Sequence, residues 1–499
     1  WIMTTEIKRS AYSVISLVCV FFIPHTVKGD INLRVQTDFG GFDIALFDSI
    51  APVTVSNFMG YVNRGDYDRT IFHRSVPDFA VQGGGYIYDS SLGDFLFGGA
   101  VHIPTQPPIV NEFNLSNLRG TLAMAKLEGD PDSATSEWFV NMADNSANLD
   151  TQNGGFTVFG EVLGDGMKVL DEIEQFPRCI DVAPIPAFCG AFPELPVINT
   201  ELALTDDTLI NVNHIGTDND GDGAIDFLED AGPNSGDANN DGVLDSTQQH
   251  VASFQGESGA YLYIETLPSS PLSSLDILGI TFSIAYPDSS GVLTELEFNQ
   301  GYFGFDVTGV APGTAYQAVA SLPAELTAET YINFGPTQDN PVPHWYEFLF
   351  DGETGAEFSG NLVTLHYVDG KRGDADNIAD GIITASRGGP ATIIADSDGD
   401  GVPDRIEDDA PNNGDGNGDG ILDSTQPNVA SLPDLTGSYI TIASGAMTAL
   451  RSLQFTHGLD FLAQADPASQ LNGLNFAHGF LAFEALNIAL GGSANINVI

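Results

Sequence analysis

An acidic stretch occurs twice in this chain without a gap. Asp218–Phe254 reads DNDGDGAIDFLEDAGPNSGDANNDGVLDSTQQHVASF, and Asp396–Leu432 reads DSDGDGVPDRIEDDAPNNGDGNGDGILDSTQPNVASL. The offset of 178 residues (218 to 396) persists beyond the acidic part. Gly259 and Tyr261 match Gly437 and Tyr439; Phe298, Gly301 and Phe305 match Phe476, Gly479 and Phe483. Self-similarity at a fixed period means a modular chain, here one acidic segment plus one domain per unit. The units are 217–249 with 250–390, and 395–427 with 428–499. Ile499 aligns with Ser321 in the middle of the first copy, so the second copy is expected to be truncated and the chain a fragment.

The acidic segments carry metal-ligand spacing. Asp218, Asp220, Asp222, Asp226 and Glu229 stand at positions 1, 3, 5, 9 and 12 of a loop with Gly223 at position 6. That is the order of oxygens and the sharp turn that a calcium loop needs. Asp396, Asp398, Asp400, Asp404 and Glu407 repeat it. Shorter half-loops follow: Asp237, Asn239, Asp241 and Asp245, then Asp415, Asn417, Asp419 and Asp423. Calcium takes six to eight hard oxygens at about 2.3–2.6 Å, so structural calcium is the expected ligand. Pro233, Pro403 and Pro411 interrupt the flanks, which excludes helix–loop–helix hands. The segments resemble thrombospondin type 3 repeats, which implies linkers that stiffen when calcium binds.

Acids outnumber bases 68 to 16, for a formal charge of -52. Nucleic acid is excluded as a partner, since phosphate binding needs clustered Lys and Arg. Lys8 and Arg9 precede an apolar run, Tyr12–Ile23, too short for a bilayer and suited to a signal peptide spanning 1–29. Export to a periplasmic, cell-surface or extracellular location is expected, with no membrane span in the mature chain. In such an oxidising compartment Cys179 and Cys189 are expected to pair, the alternative being two free thiols.

Residues 250–390 read as all-β and sandwich-like. Ala260–Thr266, Leu278–Tyr286, Trp345–Phe350 and Leu362–Tyr367 are short aromatic and β-branched runs divided by Pro, Gly, Ser and Asp. Residues 30–180 are also strand-rich, with strands at Ile31–Thr37, Phe42–Phe47, Gly120–Ala125, Glu137–Asn141 and Phe156–Val162. Helices are expected from Pro52 and within Gly164–Phe176. The pattern predicts a mainly β fold, a closed barrel capped by two helices. Residues 181–216 read as a connector.

The run FHRSVPDFAVQGG at Phe72–Gly84 resembles the central motif of the cyclophilins, FHR-x-x-P-x-F-x-x-QGG. Pro52–Phe58, Gly65–Thr70, Gly120–Ala125, Ser133–Phe139, Leu149–Asp150 and Phe156–Gly160 match further family motifs in order. The resemblance implies peptidyl-prolyl isomerisation of Pro-containing polypeptides. Rotation about an X-Pro amide meets a barrier of about 18–20 kcal/mol. No bond breaks, so no cofactor is needed for catalysis; a dry proline pocket and a donor aimed at the amide suffice. By resemblance Arg74 is the catalytic guanidinium, Phe79 and Phe139 wall the proline pocket, and Gln82 orients Arg74. Ala80, Ala125, Glu137, Asn148, Leu149 and Phe156 complete the substrate-binding set. Glu137 replaces a Gln of the family and is expected to bring a carboxylate near Arg74; Ala80 and Asn148 depart from a Met and an aromatic residue.

The run His344–Phe348 through Thr364–Gly370 and Arg372–Asp374 resembles the β modules of choice-of-anchor bacterial surface proteins, which implies display. Two functions are thus open. One is an isomerase of exported proteins carried on a calcium-stiffened surface stalk. The other is a non-catalytic surface adhesion or scaffold protein that uses the cyclophilin-like domain to hold Pro-containing peptides.

Overall fold

The computed structural model describes residues 31–89, 100–181, 192–198, 208–279, 281–288, 292–293, 296–298, 300–324, 328–434, 438–445, 448–456, 480–487 and 495–498. The expected signal peptide and Cys189 lie outside them. Cys179 is disulfide-bonded.

The N-terminal region contains β1 (Ile31–Thr37), β2 (Gly40–Leu46), α1 (Pro52–Val62), β3 (Thr70–Ile71), β4 (Arg74–Val76), β5 (Ala80–Gly83), β6 (Tyr86–Tyr88) and β7 (Ala100–His102). Then come β8 (Thr121–Met124), β9 (Trp138–Asn141), α2 (Ser146–Leu149), β10 (Val158–Val162), α3 (Met167–Gln175) and β11 (Asn211–Gly216). The eleven strands form one curled sheet in the order β4-β5-β9-β8-β10-β2-β1-β11-β3-β6-β7. β11 falls in the stretch read as a connector, yet it lies inside the sheet between β1 and β3, with Arg34 opposite Gly216 and Val212 opposite Thr70.

Pro52 opens α1, where its missing N–H leaves nothing unsatisfied. No neighbouring side chain caps this helix. The remote Glu112 carboxylate does so, accepting from Val53 N (3.2 Å) and Thr54 N (2.8 Å). Val55, Phe58 and Tyr61 share the inner face of α1 and are buried. Phe58 meets Trp138 edge-on at 6.1 Å. Burying each such ring contributes about 1.5–3 kcal/mol, so this contact between α1 and β9 anchors the strand that carries Phe139.

Residues 251–393 form two antiparallel sheets. One runs Val251–Gln255, Tyr261–Glu265, Ala315–Ser321, Leu362–Val368, Gly355–Ser359. The other runs Leu272–Leu278, Tyr302–Val307, Ile383–Ile393, Thr330–Gly335, His344–Glu347, with Leu296–Glu297 also on Ile383–Ile393. Phe254, Ile264 and Leu365 of the first share a buried cluster with Phe303, Phe305 and Tyr331 of the second. The strand expected over Leu278–Tyr286 is corrected: Thr281–Ala285 is helical. β propensity yields there to packing, because a helical turn stacks Phe282 on Tyr286 at 4.6 Å and edge-on to Trp345 at 5.7 Å.

The two regions pack directly. Arg34 Nη2 donates to the Leu275 carbonyl (2.5 Å), Gln36 Nε2 to the Ile277 carbonyl (2.7 Å), and Arg387 pairs with Glu172 (3.1 Å). Leu33 and Phe39 share one core cluster with Leu278, Phe282 and Trp345. The first acidic segment is therefore built into a packed unit, not stretched between separated domains. The second copy keeps the 178-residue offset: Asp404–Asp408, Val429–Pro433 and Tyr439–Ala443 stand where Asp226–Asp230, Val251–Gln255 and Tyr261–Glu265 stand in the first.

Candidate active site and acidic loops

Strand register brings the distant motif residues into one row. Arg74 on β4 faces Gln82 on β5, Gln82 faces Phe139 on β9, and Phe139 faces Ala123 on β8. Beside this row lies a cavity of about 200 Å³ lined by Arg74, Phe79, Ala80, Gln82, Ala125, Lys126, Phe139, Leu149 and Phe156. Its floor is apolar: Ala80, Phe139 and Leu149 are buried against Phe47, Ala123 and Val158. Phe139 and Phe156 meet edge-on at 6.0 Å. Phe79 follows Asp78, whose φ of 56° makes the turn between β4 and β5. Phe79 is fixed by its own carbonyl, which accepts from Met142 N (2.9 Å) and Asn145 Nδ2 (2.8 Å).

Arg74 stands at the rim, its guanidinium carbon 5.6 Å from the Phe79 ring centre. Its Nη1 reaches toward Gln82 Oε1 at 3.5 Å, and Gln82 Nε2 donates to Glu137 Oε2 at 2.7 Å. An ionised carboxylate only accepts, so Glu137 dictates which end of the amide faces Arg74. Glu137 also lies 3.3 Å from His73 Nε2 and 3.5 Å from His102 Nε2. Burial pushes its carboxyl up, but the hydrogen bonds and charges of His73, Gln82 and His102 outweigh this and hold it below its ordinary range.

The structure thus moves two of the expected substrate-binding residues out of the pocket wall. Glu137 sits behind Gln82, and Asn148 is exposed on α2, where it accepts from Gln152. Asn148 turns outward because the buried residue of this short helix is Leu149. His73 is buried edge-on to Tyr86 at 5.0 Å. Two residues at the site were not foreseen. Glu194 Oε2 accepts from Arg74 Nε at 2.5 Å, from a stretch with no motif of its own. Lys126 donates to the carbonyls of Asn153 (2.9 Å) and Gly155 (2.6 Å) and lies 4.7 Å from the Phe156 ring centre. Its adjacency to Ala125 was the available signal.

In the acidic loops, Asp218, Asp220 and Asp222 bring carboxylate oxygens within 4.8 Å of one another, and Asp396, Asp398 and Asp400 do the same. Gly223 (φ +99°) makes the bend; a Cβ there would stand 2.1 Å from Leu275 N. Four buried oxygens have no hydrogen-bond partner in the first copy: Asp220 Oδ2, Asp222 Oδ2, Glu229 Oε2 and Asp245 Oδ1. The same four recur in the second, on Asp398, Asp400, Glu407 and Asp423. Burial, then repulsion from neighbouring carboxylates, pushes the Asp400 carboxyl up to about 8 and Glu407 up to about 9. A cation would offset that repulsion, and this set of hard oxygens fits one.

Asp226 differs, because its oxygens are satisfied by Thr217 Oγ1 (2.5 Å) and Asn219 N (2.8 Å). Ser397 satisfies Asp404 in the same way through N and Oγ, both at 2.6 Å. These two residues close the loops from within. In the half-loops, Asp237 accepts from Asp241 N (2.9 Å) and Asp241 from Val243 N (2.8 Å). Asn239 accepts from the same Asp241 N at 3.2 Å. Asp415, Asn417 and Asp419 repeat this pattern.

A mainly β fold whose curled sheet sets a guanidinium over an apolar pocket defines a prolyl-isomerase site. Residues 32–186 match the model of the cyclophilin type peptidyl-prolyl cis-trans isomerase/CLD family. Over 177 residues the chain is 41% identical to peptidyl-prolyl cis-trans isomerase A of Dickeya dadantii, covering 35% of this chain and 86% of that protein. It is 40% identical to a peptidyl-prolyl cis-trans isomerase of Acinetobacter baylyi over 29% of this chain and 72% of the relative. It is 42% identical to peptidyl-prolyl cis-trans isomerase B of Escherichia coli over 28% of this chain and 81% of the relative. The chain belongs to the cyclophilin-type peptidyl-prolyl cis-trans isomerases.

Proposed function

We propose that this isomerase acts on X-Pro bonds of exported proteins, with Arg74 as the donor that favours the twisted amide. The observation that carries the reading is the guanidinium at the rim of a pocket walled by Phe79, Ala80, Phe139 and Leu149. Twisting the amide returns a lone pair to the proline nitrogen, and a fixed donor aimed there is stronger in the transition state than in the ground state. The planar fork of Arg74 leaves donors for substrate after Nε is used. The apolar walls exclude water from the ring. Closure of the sheet into a barrel is supported by the segment 70–76, whose β3 pairs with β11 and whose β4 pairs with β5.

Export is supported by the apolar run Tyr12–Ile23 and by the disulfide at Cys179, since disulfides persist in oxidising compartments. Among the described residues no helix is long and apolar enough to cross a membrane. Calcium is the cation we assign to the acidic loops, on the strength of the eight buried unpartnered oxygens. It would rigidify the packed unit and, through the second copy, the surface stalk.

The test is an isomerisation assay on the whole chain with a chromogenic X-Pro peptide. Wild type accelerates exchange, and Arg74→Ala lowers kcat/KM by about 10²–10³-fold, the usual cost of one transition-state donor. A folded wild-type protein that binds the peptide without accelerating exchange would leave the rival reading, a Pro-peptide-binding surface protein.

A further inference from the structure

We infer that Glu194 is a positioning residue for Arg74; the inference rests on the reading of Arg74 as the donor. Arg74 has a long side chain that is about one-third exposed (34%), so packing alone does not fix its guanidinium. Glu194 holds it at Nε, the atom nearest the stem, by a charge-assisted bond of 2.5 Å. Engagement at Nε leaves both terminal nitrogens for Gln82 and the substrate amide. Engagement at the terminal nitrogens would have occupied the donors that the reaction needs.

Glu194 is itself firmly held. Its carbonyl accepts from Ser75 N at 2.7 Å, so it is registered against the residue next to Arg74. Leu195, the next residue, is fully buried. The segment 193–197 also runs beside the turn at 177–180: Ile180 N donates to the Pro193 carbonyl (2.8 Å), Cys179 N to Leu195 (2.9 Å) and Val197 N to Pro177 (2.9 Å). The disulfide-bonded Cys179 lies within that turn. Arg178, which also interacts electrostatically with Glu194, is engaged by Asp181 at 2.8 Å. The carboxylate is thus available to Arg74 and mounted on backbone that does not depend on the ion pair.

Glu194 and Arg74 are each about one-third exposed (33% and 34%), so the pair adds little to stability. What it removes is rotamer freedom. An arginine left to sample its rotamers spends only a fraction of its time in the productive one, and this cost reaches kcat.

The experiment compares wild type, Glu194→Gln, Glu194→Ala, Glu194→Asp and Arg74→Ala in the whole chain. Glu194→Gln is isosteric and keeps the backbone bond to Ser75, so the fold survives. We expect kcat to fall about tenfold in the Gln and Ala variants with KM and Tm unchanged, and Asp to recover part of the loss. In protein labelled with ¹⁵N-arginine, the Arg74 Nε–Hε resonance moves upfield in Glu194→Gln because the carboxylate acceptor is lost, and the fall in kcat at unchanged KM and Tm is what a purely structural role would not produce. Unchanged or increased kcat in folded Gln and Ala variants overturns the inference, as does an unmoved resonance. If Arg74→Ala also leaves kcat unchanged, the reading of Arg74 as donor is what has failed.

Discussion

Gln82 Nε2 donates to Glu137 Oε2 at 2.7 Å, so the carboxylate that sequence places near Arg74 grips the glutamine instead. Glu137 is anchored on its other side by His73 and His102. It acts on Arg74 only through Gln82. Removing it in Glu137→Ala frees Gln82 to rotate, and kcat/KM should fall by about 3–10-fold, less than a directly lost charged hydrogen bond would cost because Glu137 reaches Arg74 through Gln82. The peptide assay checks this; an increase would show that Glu137 restrains Arg74.

The same carboxyl sets a pH dependence. Its folded value lies below the ordinary 4.5, so the charged form is favoured by folding. That contribution is fully present above the ordinary value and is lost as pH falls through the lower folded one. The stability difference between wild type and Glu137→Gln should stay constant from neutral pH down to about 5 and shrink below it. Chemical unfolding at a series of pH values measures it.

Asp222 and Asp226 lie four residues apart but should respond oppositely. Asp222→Asn removes a buried oxygen with no partner in the protein, whereas Asp226 is already satisfied by Thr217 and Asn219. Calcium at about 100 times its Kd would stabilise by about 2.7 kcal/mol, a Tm rise of about 3–4 °C for a packed unit spanning 31–393. We expect EDTA to abolish that rise in wild type, Asp222→Asn to weaken it at the first copy, and Asp226→Asn to preserve calcium affinity while lowering Tm. Calorimetry with and without calcium reads all three.

Asn148 is exposed and outside the pocket wall, whereas Phe139 forms part of it. Asn148→Ala should keep kcat/KM within about twofold, as for other surface changes. Phe139→Ala opens the apolar floor and should cost about 3–5 kcal/mol of stability along with most of the activity. A large loss in Asn148→Ala would mean that substrate reaches beyond the present pocket.

Arg34 is buried, and its Nη2 bond to the Leu275 carbonyl joins the isomerase sheet to the β region. Arg34→Ala also removes one of the two arginines beside Asp276, 3.6 Å away, and leaves Arg387 at 3.5 Å. Removing one member of a buried charge network costs about 3–5 kcal/mol. Limited proteolysis should then cut near residues 217–249, where the two regions join.

Much of the site was legible because its parts are local in sequence. Phe72–Gly84 carries Arg74, Phe79, Ala80 and Gln82 on one hairpin: alternation puts Arg74, Ala80 and Gln82 on one face, and the turn brings Phe79 beside them. The alternate-residue spacing of Asp218, Asp220 and Asp222 was equally plain, and these carboxylates converge in the structure. Other assignments depended on contacts between segments far apart in the chain. Sequence could not show that Glu194 meets Arg74 across 120 residues, or that Glu137 turns to Gln82. It could not place β11 inside the sheet, because a six-residue strand after a stretch without pattern reads as a connector.

By itself the sequence determined the motif chemistry, the modular repeat and the strand-rich character, all of which follow from residue type and short-range spacing. Tertiary structure decided which carboxylate serves the arginine, which loop oxygens remain for a cation, and that the acidic segment is packed rather than extended. Those outcomes depend on hydrogen bonds and burial that exist only once distant strands pair, because a side chain's partner is set by where the backbone brings it and not by its neighbours along the chain.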